Sequence, residues 1–268
     1  MSLGRSVQGH IARKRFGQNF LHDPGVIDRI VRAVAPKPGD RVVEIGPGLG
    51  AITEPLLDAA GRLDVIELDR DLAARLQERY AERPLTLHNA DALKFDFHEL
   101  AGAGEKLRIV GNLPYNISTP LLFHLMNQLD CIQDIHCMLQ KEIVERLAAH
   151  PNTNDYGRLS VMIQYHCQVT PLFTVGPGAF RPSPKVDSSV VRLTPYSEPP
   201  VQVIDFNLFS QHVAQAFNQR RKTIRNGLKH YLSADDIDAA GVDPGARPET
   251  LDLEAFARLA NYTATHRR

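Results

Sequence analysis

The chain has 268 residues, is 43% hydrophobic and 23% charged, and balances 31 Lys/Arg against 31 Asp/Glu. This is the make-up of an ordinary globular protein, with length for one large domain and a small appendage or for two modest domains. It holds no apolar run near the roughly 20 residues a bilayer span needs, and Met1 to Lys14 lacks the apolar core and cleavage site of a secretory signal, so neither is expected. Cys131, Cys137 and Cys167 are an odd set without CxxC spacing. They argue against a disulfide framework or a zinc site and for a reducing compartment, with the cytoplasm as the expected location.

The net charge of zero hides segregation. Residues 1–41 carry eight basic against three acidic side chains, residues 42–177 eleven against eighteen, residues 178–230 eight against three, and residues 231–268 four against seven. Two basic segments flank an acidic middle, a pattern that suits a phosphate-binding surface but also an ordinary solvated one.

In chain order, Arg41–Ile45, Leu63–Glu67, Leu85–His88, Leu107–Val110 and Ile132–Leu139 read as strands. Thr53–Ala60, Arg70–Tyr80 and Ser118–Gln128 read as the helices between them. This alternation predicts an α/β fold, a Rossmann-like parallel sheet with helices on both faces. Lys141–His150 reads as a helix, and Gln168–Val175 and Ser188–Leu193 as two further strands separated by a stiff loop at Pro177–Pro184. The break at Tyr196–Pro200 suits neither helix nor central strand. Beyond it, Phe206–Phe217, Lys222–His230, Ala234–Ala240 and Leu253–Tyr262 read as helices with no strand between. The expected division is therefore a sheet domain over 1–200 and a small helical domain over 201–268.

The first strand runs into Glu44-Ile45-Gly46-Pro47-Gly48-Leu49-Gly50. Ligands bind at the carboxyl ends of strands in open parallel sheets, and Gly46, Gly48 and Gly50 there let the backbone come close to a cofactor. The spacing is G-x-G-x-G, not the G-x-G-x-x-G of dinucleotide binders, and Pro47 removes an N–H that a pyrophosphate would want. A cofactor without phosphates fits better, although a tight turn alone also selects glycine. Glu67 ends the second strand where a ribose diol would be held, with Asp69 the better cap for the next helix. Asp91, after the third strand, is placed to accept from an adenine amino group, and a surface turn explains it equally well by itself. Asn112-Leu113-Pro114-Tyr115 follows the fourth strand. An exocyclic adenine amine is a poor nucleophile, because its lone pair is conjugated with the ring. Bonds from that amine to the Asn112 side-chain oxygen and the Leu113 carbonyl would favour the pyramidal, reactive geometry. Pro114 stiffens the loop and Tyr115 offers a stacking face, worth about 1–3 kcal/mol per base.

With these motifs the chain resembles the ribosomal RNA adenine dimethyltransferase family, the KsgA-type enzymes. The resemblance runs through Phe16–Leu21, Glu44–Gly50, Val65–Asp69, Asn112–Tyr115, Phe180–Ser188 and Asn218–Thr223. It implies N6-dimethylation of two adjacent adenosines near the 3′ end of small-subunit (16S) ribosomal RNA, during ribosome biogenesis, by direct transfer from S-adenosyl-L-methionine. It further implies that Asn19, Leu21, Gly46, Glu67, Asp91 and Asn112 line the cofactor site, and that Phe180 sandwiches the adenine against Tyr115. The expected partner is small-subunit RNA or the assembling small subunit, and the expected state is a monomer with no membrane contact. None of the eleven histidines forms a metal-ligand cluster with Cys or acids at helical spacing, so no metal is expected. Arg220, Arg221, Lys222 and Arg225 are expected to share a face at the start of a C-terminal helix and to grip RNA phosphates, with Arg13–Arg15 as the alternative anchor. Three rivals share parts of this pattern. A macrolide-resistance-type enzyme acting on large-subunit RNA would differ in the C-terminal helices. A non-catalytic assembly or transcription factor would not need acceptors aimed at an amine. A DNA or protein-glutamine methyltransferase typically has a second proline where Leu113 stands.

Overall fold

The computed structural model describes residues 6–7, 10–11, 18–102, 104–218 and 222–266. In chain order the elements are β1 (Ser6–Val7), β2 (His10–Ile11), β3 (Phe20–Leu21), α1 (Pro24–Val34), β4 (Arg41–Ile45), α2 (Thr53–Ala60), β5 (Leu63–Ile66), α3 (Arg70–Arg79) and β6 (Leu85–His88). Then come β7 (Leu107–Asn112), α4 (Ser118–Met126), β8 (Ile132–Gln140), α5 (Lys141–Ala148), α6 (Arg158–His166), β9 (Cys167–Val175), β10 (Phe180–Arg181) and β11 (Ser188–Pro195). After β11 the chain is helical, with α7 (Phe206–Phe217), α8 (Ile224–Gly227), α9 (Ala234–Ala239) and α10 (Leu253–His266).

Seven strands form one sheet in the order β6-β5-β4-β7-β8-β11-β9. The β4–β5, β5–β6, β4–β7 and β7–β8 pairs are parallel and β8–β11 is antiparallel. Strand order reverses at β4, so a crevice opens at the carboxyl ends of β4 and β7. The α/β reading holds. The central strands are near-continuous apolar runs because both faces are covered: Val42, Val43, Ile45, Val65, Ile66, Ile109 and Val110 are all buried. Each such side chain contributes about 1.5–3 kcal/mol through burial. The three cysteines are buried thiols.

Two helices lie where no element was expected. In α1, Asp23 accepts from Val26 N at 2.9 Å and Pro24 takes the first turn, the usual start signals. In α6, Ser160 Oγ accepts from Gly157 N at 3.1 Å and donates to the Arg146 carbonyl, fixing the first turn. The proline loop after β9 also holds more order than expected, because β10 pairs with β3: Phe180 faces Leu21 and Arg181 faces Phe20.

The chain divides into two compact units, Met1–Val144 with Thr170–Pro195, and Glu145–Val169 with Tyr196–Arg268. It therefore crosses between units three times, and the boundary near residue 200 marks only the last crossing. The apolar segment around α6 goes with the C-terminal helices. In that second unit Phe209, Val213, Phe256 and Leu259 are fully buried, and the Tyr165 ring lies 5.0 Å from Phe209. Among the described residues no helix is long and apolar enough to cross a membrane.

The helix expected over Lys222–His230 is reduced to α8, Ile224–Gly227, with Thr223 at its N-cap. Lys222 precedes it, so Lys222 and Arg225 do not share a helical face, though both are exposed. Arg220 and Arg221 lie outside the described residues, as do Arg13–Arg15.

Candidate active site

A cavity of about 320 Å³ opens at the carboxyl ends of β4, β5 and β7. Its lining includes Asn19, Leu21, Gly46, Gly48, Glu67, Asp91, Asn112, Leu113 and Tyr115. These are most of the residues the sequence singled out, gathered from five separate stretches of chain.

The glycine loop forms one wall. Gly46, Gly48 and Gly50 have φ of 67°, 58° and 83°, a region that L side chains rarely adopt. At Gly48 a Cβ would also sit 3.1 Å from the Phe20 ring. Gly50 does not line the cavity; it backs onto Leu76 and Tyr80. Below the loop, Glu67 accepts from Gly48 N at 3.2 Å and from Asp69 N at 2.8 Å. Burial raises its carboxyl above the usual range, and the backbone donors of Asp69, Gly48 and Leu68 oppose that rise. A carboxylate offers about four acceptor sites, so capacity remains for a ligand hydroxyl. Asp69 caps α3 through Asp71 N at 3.1 Å, as its position suggested, and also accepts from Gln18 Nε2 at 3.1 Å. Asp91 closes a turn with Leu93 N at 3.0 Å while still lining the cavity.

Glu44 had no role of its own in the motif reading. It is 1% exposed, lines the cavity, and accepts from Thr53 Oγ1 at 2.6 Å. Burial pushes its carboxyl up to about 8; the Thr53 hydroxyl opposes this and the negative Glu67 adds to it. The described lining thus holds Glu44, Glu67 and Asp91 and no Lys or Arg. Such a cavity suits a cationic, phosphate-free ligand and repels a pyrophosphate.

Asn112 Nδ2 donates to the Asn19 carbonyl at 3.1 Å. That bond uses one of the two amide hydrogens and leaves Asn112 Oδ1 as an acceptor. Gly111 precedes it without any motif to mark it, yet a Cβ there would lie 2.7 Å from the Ile45 carbonyl, so only glycine lets β7 close against β4 under the site. Leu113 N donates to Met138 O at 3.1 Å, pinning the loop to β8. The half-buried Tyr115 has its hydroxyl 2.7 Å from Ser188 Oγ. Burial pushes its phenol up, so it stays protonated at neutral pH.

Phe180 departs from expectation. It is 2% exposed, packs with Leu21, Val175, Ala179 and Val190, and is not among the lining residues. Its backbone role is visible: with His22 N donating to Ala179 O at 3.0 Å, the β3–β10 ladder joins the Asn19 segment to the Phe180 segment.

A second departure concerns metal ligands. His98, Asp130 and Cys131 have ligand atoms within 4.8 Å of one another. Helical spacing could not reveal this group, because the fold brings His98 to Asp130. His98 is held between Asp96 at 2.8 Å and Asp130 at 3.0 Å, and these two hydrogen bonds raise its pKa.

The family model described as ribosomal RNA adenine dimethylase matches residues 9–265. The chain belongs to that family. Among relatives of this adenine dimethylase, the ribosomal RNA small subunit methyltransferase A of Pseudomonas aeruginosa is 62% identical over 256 residues, covering 95% of this chain and 96% of that protein. A dimethyladenosine transferase from Plasmodium falciparum superposes with a TM-score of 0.76 at 27% identity, covering 90% of this chain and 95% of the other. The 23S rRNA methyltransferase ErmE does so with a TM-score of 0.70 at 28% identity, covering 92% and 100%. The ribosomal RNA adenine dimethylase fold is thus a methyltransferase sheet carrying a helical C-terminal part.

Proposed function

We propose that the protein dimethylates N6 of two adjacent adenosines near the 3′ end of small-subunit ribosomal RNA, during subunit assembly. At the coarser level, the enzyme is an S-adenosylmethionine-dependent dimethylase of adenine in small-subunit ribosomal RNA. The 62% identity to a small-subunit enzyme, against 28% to a 23S enzyme, favours that RNA over the large-subunit alternative.

One observation carries the finer reading. A single cavity joins an acidic floor, whose described lining holds no Lys or Arg, to a loop that presents an amide oxygen, a main-chain carbonyl and an aromatic face. S-adenosylmethionine supplies an electrophilic methyl on a sulfonium. Glu67 accepts from the ribose hydroxyls, Asp91 from the adenine amine of the cofactor, and Gly46 and Asn19 border the methionine end. At the other end Asn112 Oδ1 and Leu113 O accept from the target N6 and draw it out of conjugation. Tyr115 stacks on the extruded base, and Phe180 joins it only by leaving its core position. Nothing in Asn112–Tyr115 can act as a general base, so the proton leaves to solvent once methylation has raised the nitrogen's acidity. Catalysis is then mostly positioning, with N6 about 3–3.5 Å from the methyl carbon. Exposed Lys222 and Arg225, with Arg220 and Arg221, anchor RNA phosphates, and the protein works as a cytoplasmic monomer without a metal.

The test is incubation of undermethylated small subunits, and separately of large subunits, with methyl-labelled S-adenosylmethionine, followed by nucleoside analysis. Labelled dimethyladenosine from the small subunit is expected. Label confined to large-subunit RNA, or to another nucleoside, overturns the reading.

A further inference from the structure

Stacking alone asks only for an aromatic ring, yet position 115 is a tyrosine whose hydroxyl is engaged. Its partner, Ser188, is fully buried and opens β11 in register with Gln140 of β8. The same corner is tied by Lys141 N donating to the Asp187 carbonyl at 2.9 Å. Ser188 therefore sits on two paired strands with little freedom to follow a moving ring. The other end of Tyr115 is also held, because Ser118 Oγ donates to its carbonyl at 3.1 Å. A phenylalanine would keep the apolar face but could pivot about its Cβ.

We propose that Ser188 is a positioning residue for the methyl-accepting adenine, acting through its hydrogen bond to the Tyr115 hydroxyl. The inference rests on the assignment of Tyr115 as the stacking face. With its hydroxyl tethered, the ring fixes the plane of the base and so the reach of N6 toward the acceptors on Asn112 and Leu113. Two successive transfers make that demand greater. Each forms one N–C bond, breaks one S–C bond and releases one N6 proton to solvent. After the first, the amine carries a methyl group, and the remaining lone pair must be presented in a more crowded space. A ring free to pivot penalises this second step more than the first, and the monomethylated base leaves.

Ser188→Ala and Tyr115→Phe each remove the tether, one from each side. Both are expected to lower kcat roughly tenfold, about the worth of one buried hydrogen bond at the upper end of its range. Cofactor Kd should stay unchanged, and the product should shift from dimethyl- toward monomethyladenosine. Because both changes delete the same bond, the double variant should be no worse than either single one. Tyr115→Ala tests the stacking assignment on its own. If it keeps the parent kcat, that assignment fails and the inference falls with it. If Tyr115→Ala is inactive while Ser188→Ala and Tyr115→Phe match the parent in kcat and product ratio, the stacking face stands and the positioning role is overturned. If Ser188→Ala loses Tm and cofactor affinity while Tyr115→Phe behaves as the parent, Ser188 acts through the fold, and the inference is overturned as well.

Discussion

The two ends of the same strands are built on opposite electrostatic terms. At the amino ends, Arg108 on β7 meets Asp134 at 2.8 Å and Asp40 at 2.8 Å, and its remaining donors reach the Val34 and Ala35 carbonyls at the end of α1. Each of these three charges has an opposite partner within hydrogen-bond reach, and the Arg108 side chain is 10% exposed. At the carboxyl ends, Glu44, Glu67 and Asp91 line a cavity whose described lining holds no cation. One end is neutralised by the protein itself. The other is left to be neutralised by a ligand, and the buried acids bear the cost of desolvation until that ligand arrives.

Breaking the paired end should have the largest effect. Asp134→Ala leaves a nearly buried guanidinium with half its counter-charge, and is expected to destabilise the fold by about 3–5 kcal/mol. Denaturant unfolding measures this, and a loss under about 1 kcal/mol would mean that Asp40 and the α1 carbonyls suffice.

At the ligand end, Asn112→Ala should leave the fold intact and lower kcat by roughly a hundredfold or more, with a smaller change in cofactor affinity. Single-turnover kinetics separates the two. Near-normal kcat would remove the amine-acceptor role.

The contrast also predicts opposing pH slopes. The folded-state carboxyl of Glu44 is raised to about 8 by burial. Its contribution to stability is therefore full below the unfolded carboxyl range near 4.5 and is lost as pH rises through about 8. His136 on β8 is 2% exposed, and burial lowers its pKa to about 4, with Asp134 opposing the fall and Arg108 adding to it. With the folded value below the unfolded one, the imidazole is neutral in both states above about 6.5, and stability falls by up to roughly 3 kcal/mol as pH drops toward about 4. Glu44→Gln should flatten the decline in stability between about pH 4.5 and 8, stabilise the empty protein at about pH 7.5 and weaken its binding of S-adenosylmethionine. His136→Leu should flatten the acid slope. Thermal unfolding across roughly pH 4–9 reads both, and parental slopes in the variants would show that other groups set them.

The smallest effect expected is on RNA. The described lining of the cavity offers acids and no Lys or Arg to a phosphate, whereas Lys222 and Arg225 are exposed cations in the helical unit. Replacing both with alanine should leave cofactor binding alone and flatten the log–log salt dependence of RNA binding by about 0.7–0.9 for each phosphate no longer neutralised. An unchanged slope would move the anchor to Arg13–Arg15.

Much of this was legible in the sequence. Short apolar runs alternating with helices announced the parallel sheet, because strands covered on both faces must be continuously apolar. Glycines, acids and an Asn-x-Pro-Tyr loop at successive strand ends announced the cavity, because parallel strands place those ends side by side. Local chemistry also sufficed for Asp69 as a cap, and the Asp23-Pro24 pair carries an equally local start signal for α1. Other features depended on distant partners. The β3–β10 ladder is two residues long on each side, too short for any period to show. The burial of Phe180, the Ser188 tether of Tyr115 and the meeting of His98 with Asp130 each join segments separated by tens of residues or more. The closeness of β4 to β7 decides that position 111 must be glycine, and the depth of β4 decides that Glu44 is an acid near neutrality. The sequence by itself determined which groups stand at the strand ends, since that follows from periodicity and turn chemistry. Only the tertiary structure decided their burial, partners and protonation, since those depend on solvent exclusion and on what the rest of the chain packs against them.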